Sequence, residues 1–418
     1  MLLILSAVFL FGKAADTSVD TVLNLDGNVT GTCPMDSTCE SILVKYPLIH
    51  HLSVNAGVDY LPSSIVDDTR DKIPSNQLIS NHSDLPVNLR YSFSFTNPKI
   101  RNYYPGGYQG IGVGVLNIGG LESGSVDKSR RYIGYPVATY LFQGGPVWKM
   151  HRNLGLDYEW NFGASFGWKP FSAYNQNFNL TVGSKVNAYL NLNLLLKWQI
   201  NENVALVGGV AVSHFSNGNT SWPNPGVNSF GLRAGMQWTF NPQKVSYTAI
   251  QPDTIKKRKV VYDISLWFAA RKRVYRGGEE PILLRGHYAV GGISFSPMAR
   301  LNPWWRVGGS LDIQWDESSS LKDYYVSGST TDDILFRRPN FFRQTSIGLS
   351  AHGELQMPVF AVNVGVGYNV IAPWENRYSY QNITLKTYLT DWLYLNVGYQ
   401  LRNFHQQSNL MLGLGFSL

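Results

Sequence analysis

A histidine two residues from a serine on an extended strand shares its face, so the imidazole can take the hydroxyl proton and make the oxygen a nucleophile. His214 and Ser216 form such a pair. They precede a turn-rich stretch, Asn217-Gly218-Asn219-Thr220-Ser221-Trp222-Pro223-Asn224-Pro225-Gly226, and then Asn228. The chemistry implied is acyl transfer, which also needs a group that selects the imidazole tautomer and donors for the developing oxyanion. Asn228 is the candidate orienter. Asn217, Gly218 and Asn219 are the candidate oxyanion donors. The same residue types also occur in ordinary strand ends and loops, so the elements that carry them must decide.

Those elements show a period of two over long segments. From Leu154 to Trp168 the even positions are Leu154, Leu156, Tyr158, Trp160, Phe162, Ala164, Phe166 and Trp168, with only polar residues or glycine between them. Val186 to Ile200 repeats the pattern on its even positions. A helix would scatter these side chains around its axis. Strands of this length suit a tilted crossing of a bilayer, where an open sheet edge finds no partner and closure into a barrel follows. The apolar set would then face acyl chains and the polar set the lumen.

Read this way, strands are expected near 52–60, 88–96, 110–117, 136–149, 154–168, 185–200, 203–216 and 228–240, enough for one small barrel. A polar linker from Asn241 to Lys259, containing Lys256, Lys257 and Arg258, separates them from a second series. That series is expected near 260–272, 283–298, 304–317, 342–355, 358–371, 382–389, 392–402 and 409–418. The fold class is therefore all-β, a transmembrane antiparallel β-barrel. Two tandem eight-stranded barrels fit the long linker better than one barrel of about sixteen strands, which stays open as the alternative.

The parity places the reactive pair. Val204, Leu206, Val210 and Val212 form the lipid row of one strand, and steps of two continue it to His214 and Ser216. Asn228, Phe230, Leu232, Ala234, Met236, Trp238 and Phe240 form that of the next. Polar groups in an apolar row are costly unless they partner or act. Glu159 has the opposite parity and points to the lumen. With the short Asn201-Glu202-Asn203 turn in the periplasm, the 217–227 loop lies outside, at the outer leaflet.

Composition bounds the remainder. The chain has 418 residues, of which 44% are hydrophobic, 13% aromatic and 15% charged, a profile unlike a disordered protein. Residues 1–15 read as a secretory signal peptide without a basic start, and 16–49 as a periplasmic segment. Beyond them no apolar run reaches the length of a transmembrane helix. Cys33 and Cys39 are a disulfide candidate in an oxidising compartment. The net charge of +7 suits anionic lipid phosphates, and no basic reading helix or stacking sheet points to nucleic acid.

Residues 50–241 resemble the PagL family of outer-membrane lipid A 3-O-deacylases, including chains labelled acyloxyacyl hydrolases. The resemblance rests on His214-Phe215-Ser216-Asn217, on Asn224-Pro225-Gly226 and on Gly231-Leu232. It implies an eight-stranded barrel with a lipid-facing site, Ser216 as nucleophile, His214 as base and Asn217 beside the oxyanion. It also implies lipopolysaccharide as substrate and a place in the bacterial outer membrane. The mechanism requires no metal or cofactor. One departure stands out, because the family's founding members carry glutamate where this sequence has Asn228. The half from 260 to 418 resembles the barrel plan and reads as noncatalytic: a weak internal alignment puts Asn403 and His405 where His214 and Ser216 stand. The competing readings are a nonenzymatic barrel, such as a porin or structural protein, and an outer-membrane phospholipase.

Overall fold

The computed structural model describes residues 48–61, 82–96, 100–101, 104–116, 133–170, 181–224, 226–242, 259–275, 282–284, 286–319, 325–326, 335–336, 339–357, 360–373, 376–404 and 406–418. The expected leader and the Cys33–Cys39 pair lie outside the described residues.

Two closed antiparallel barrels of eight strands each follow one another along the chain. The first comprises β1 (Ile49–Leu61), β2 (Val87–Ser94), β3 (Tyr108–Val115), β4 (Gly134–Lys149), β5 (Leu154–Trp168), β6 (Val186–Gln199), β7 (Val204–Ser216) and β8 (Val227–Thr239). Neighbours in sequence pair in order, and β8 returns to β1 through a ladder from His51↔Thr239 to Tyr60↔Phe230. The second comprises β9 (Val260–Arg271), β10 (Tyr288–Arg300), β11 (Trp305–Asp316), β12 (Thr345–Gln356), β13 (Phe360–Ile371), β14 (Ser379–Tyr388), β15 (Leu393–Arg402) and β16 (Gln406–Ser417). It closes between β9 and β16. The sixteen-stranded alternative is thereby excluded, since each half satisfies its own edges.

Burial is inverted relative to a water-soluble protein. Glu159 is 2% exposed and Glu354 is fully buried, whereas Leu192 is 65% and Phe268 66% exposed. An apolar belt of this extent belongs in hydrocarbon. Exposed aromatics cluster at strand ends, among them Trp148, Trp198, Trp238, Trp305 and Trp392, as expected for side chains that sit at headgroup level.

The lumens are filled by charge pairs, because an unpaired buried charge would be costly. Arg90 pairs with Glu159, and Arg233 with Asp59, which also accepts from Ser229 Oγ at 2.9 Å. In the second barrel Lys386 bridges Asp263 and Glu354, and Arg271 meets Asp316.

The barrels also touch. Phe360 and Leu385 point outward, yet are 1% and 6% exposed, because Phe95, Leu141, Trp160 and Phe162 of the first barrel pack against them. At the short-turn end the rings of Tyr104 and Trp304 lie 3.9 Å apart.

Two strand boundaries differ from the sequence expectation for identifiable reasons. Ile282–Leu283 pairs with Val274–Tyr275 in a separate hairpin, so β10 starts at Tyr288 and not near 283. Residues 341–344 form one helical turn, capped by the Asn340 side chain accepting from Arg343 N–H at 3.0 Å. Alternation cannot reveal such a cap.

Candidate active site

The pair on β7 is aimed outward by the residue between its members. Phe215 is 1% exposed inside the lumen, where it stacks on Tyr189 at 4.9 Å and meets Trp168 at 5.4 Å between ring centroids. Burying one such ring stabilises by about 1.5–3 kcal/mol, and a one-residue slip would expose it. Ala205, Ala211 and Ser213 are buried on the same inward row, while Leu206, Val210 and Val212 are exposed. His214 therefore takes the lipid side.

Cross-strand register then supplies the orienter. His214 lies opposite Asn228 on β8, and its Nδ1–H donates to Asn228 Oδ1 at 2.7 Å. That bond fixes the tautomer and leaves Nε2 as the basic nitrogen. On the other side His214 faces Leu190 of β6, and Ser216 faces Ala188. The imidazole thus sits among lipid-facing residues with one oriented hydrogen bond.

Ser216 ends β7 and is buried, 5% exposed, where the following loop folds over it. No hydrogen bond joins its hydroxyl to His214 among the described residues; the only one found for the ring is to Asn228. Gly226 shows how closely the two are brought together. A methyl group on Gly226 would lie 3.1 Å from His214 Cε1 and 3.4 Å from Ser216 Cβ, and its φ of +80° already favours glycine. Both side chains border one small space.

The loop is built around Asn217, and this changes the reading of that residue. Its N–H donates to Asn224 Oδ1 at 2.8 Å, and its Nδ2 donates to the Ser221 carbonyl at 2.8 Å and the Pro223 carbonyl at 3.4 Å. Thr220 N–H and Oγ1–H both donate to the Asn217 carbonyl. Expected as an oxyanion donor, Asn217 is committed to loop closure instead. Gly218 and Asn219 follow with φ of +63° and +61°, which turns the backbone sharply beside the serine.

Glu159, expected to point to the lumen, is held there by Arg90 and by Asn193 Nδ2 at 2.9 Å, away from His214. Asn403 lies in the β15–β16 turn and accepts from Ser379 Oγ at 3.1 Å; His405 lies outside the described residues.

A second array escaped the sequence reading. Within the second barrel Ser350 Oγ and His352 Nε2 are 2.8 Å apart, and His352 Nδ1 lies 2.6 Å from Asn363 Oδ1. Ser350 Oγ also donates to Asp312 Oδ2 at 2.6 Å. The Ser-x-His spacing was visible, but its residues have lumen parity, where polar networks are ordinary. Asn224 and Gly226 were visible too, as turn residues without a stated role.

Comparisons with known proteins bear on the family of the chain. The profile of the family described as lipid A 3-O-deacylase (PagL) matches residues 88–237, and that described as the acyloxyacyl hydrolase C-terminal domain matches residues 260–418. No curated protein matches the sequence. Among solved structures, Neisserial surface protein A is similar at 8% identity and a TM-score of 0.29, over 46% of this chain and 97% of that one. An outer-membrane channel from Pseudomonas putida F1 is similar at 12% identity and a TM-score of 0.18, over 93% of this chain and 99% of the channel.

Proposed function

We propose, from the premise that this chain belongs to the PagL family and is an integral outer-membrane lipid A deacylase, that it works as a serine esterase with Ser216 as nucleophile and His214 as general base. The observation that carries the reading is the Asn228–His214 hydrogen bond on the lipid face of β7 and β8. A histidine held there by one nitrogen presents the other to a reactant coming from the bilayer.

In the proposed cycle His214 Nε2 accepts the Ser216 proton as Oγ attacks the ester carbonyl of a lipid A acyl chain. Collapse of the tetrahedral adduct breaks the ester C–O bond, and the imidazolium returns its proton to the departing sugar hydroxyl. Water, deprotonated by the same imidazole, then releases the fatty acid from Ser216. With Asn217 engaged in the loop, the backbone N–H of Gly218, turned by its positive φ, is the oxyanion donor nearest the nucleophile in sequence. Unlike the glutamate of the family's founding members, Asn228 adds orientation without charge. Substrate binding closes the Ser216–His214 contact, since catalytic hydrogen bonds commonly tighten only with substrate bound.

The family description favours the 3-O-linked chain. The chain's apolar tail would lie along Leu190, Leu192, Val210 and Val212, all exposed on the outer wall. Lys185, exposed at the extracellular start of β6, and Lys272 are placed to meet lipid phosphates.

Mass spectrometry of lipid A and of phospholipid vesicles after incubation with the refolded full chain tests this reading. Loss of one 3-O acyl chain from lipid A alone, abolished by Ser216→Ala, is expected. Release from phospholipid instead would make the protein a phospholipase, and undiminished release by Ser216→Ala would remove the serine mechanism.

A further inference from the structure

The second barrel reaches the catalytic loop of the first. A methyl group on Gly218 would lie 2.7 Å from Leu410 Cβ and 3.3 Å from Tyr399 Cε2. Asn219 Nδ2 donates to the Ser408 carbonyl at 3.3 Å, and Lys272 N–H, just past β9, donates to the Thr220 carbonyl at 2.8 Å. Three consecutive residues of the loop thus rest on the extracellular edge of the other barrel. They begin two positions after Ser216.

These contacts agree in sidedness with those elsewhere. Tyr104 and Trp304 belong to short-turn ends, as Gly218 and Leu410 belong to long-loop ends. Between them Phe360 and Leu385 are covered by Leu141, Trp160 and Phe162. The barrels therefore stand side by side with the same polarity, joined along their height.

We propose that the second barrel is a positioning element for the reaction of the first, in which Tyr399, Ser408 and Leu410 seat the Gly218–Thr220 turn and so fix the backbone leaving Ser216. This rests on the serine mechanism above. The physical reason is conformational entropy: the loop from Asn217 to Gly226 separates the nucleophile from the strand that carries Asn228. Its ordering must be stabilised by something. The loop's own hydrogen bonds through Asn217 supply part, and the seat supplies the remainder from a rigid wall. A noncatalytic half without a reacting residue of its own thereby acquires a role in the cycle.

The test uses the full chain refolded in lipid, with heat-modifiable gel mobility confirming that both barrels close. Tyr399→Ala combined with Leu410→Gly is expected to lower kcat by tenfold or more with KM within threefold. Leu410→Met, which keeps the bulk, and Phe268→Ala, on an exposed outer position of β9, are expected to stay within twofold of the parent. Unchanged kcat in the Tyr399/Leu410 double variant would overturn the proposal.

A second readout does not depend on catalysis. In a Cys33→Ser/Cys39→Ser background, Thr220→Cys with Lys272→Cys is expected to form a disulfide under mild oxidation, because the backbone hydrogen bond between these residues puts the two chain segments side by side. No cross-link would overturn the seat even if Ser216→Ala proved inactive. A cross-link together with a fully active Ser216→Ala would leave the seat standing and remove the serine mechanism it serves.

Discussion

Among the described residues two serine–histidine–asparagine arrays stand out, and they differ most in which side of a barrel wall they occupy. In the second barrel Ser350, His352 and Asn363 are joined by hydrogen bonds of 2.8 and 2.6 Å, and Asp312 draws in both Ser350 and Tyr380. In the first, His214 is joined to Asn228, while Ser216 and His214 are adjacent without a hydrogen bond. By distance alone the inner array is the better triad. It faces a lumen lined by polar partners, however, and its serine hydroxyl is drawn to a carboxylate. The outer array faces the solvent in which the substrate is dissolved, namely lipid. The two arrays thus share residue types and differ in the medium they face and in the hydrogen bonds already made.

Histidine substitutions probe this contrast with the largest expected effect. His214→Ala is expected to reduce lipid A deacylation by a factor of about 10³ or more, as for loss of a general base and proton donor. His352→Ala is expected to leave the rate within threefold while lowering stability by about 1–3 kcal/mol, the cost of orphaning buried polar partners. Mass-spectrometric rates and urea unfolding of each variant provide the check. Equal losses of rate would erase the distinction between the arrays.

The asparagines come next. Asn228→Ala frees the imidazole to rotate and change tautomer, for an expected loss of about 10²-fold in kcat. Asn363→Ala is expected to change kcat by less than twofold. Steady-state kinetics on the two variants would sharpen the comparison to a single atom in each array. A slower Asn363→Ala enzyme would point to traffic through the second lumen.

The smallest effect concerns charge. Asn228→Asp puts a carboxylate beside the imidazolium that forms during attack, and kcat is expected to rise by up to about tenfold. A fall would mean that orientation by the amide outweighs charge at this lipid-facing position.

Much of this was legible in the residues because a strand's period leaves little freedom. β5 spans Leu154–Trp168, the same limits that alternation gave, and both barrels follow from the same counting. The outward aim of His214 and its meeting with Asn228 were also legible, since parity and one hairpin fix both. What was not legible depends on contacts that sequence neighbours do not encode. Phe360 reads like any lipid-facing phenylalanine until another barrel covers it. Asn217 reads like a free donor until the loop closes on Asn224 and Ser221.

Strand β8 has one further property, since it forms ladders with both β7 and β1. The seam that shuts the first ring, where Tyr60 pairs with Phe230, ends two residues from Asn228 on the same strand. Asn228 lies just beyond that seam and is held by its ladder with β7, so the imidazole's partner depends on a single hairpin more than on closure of the ring.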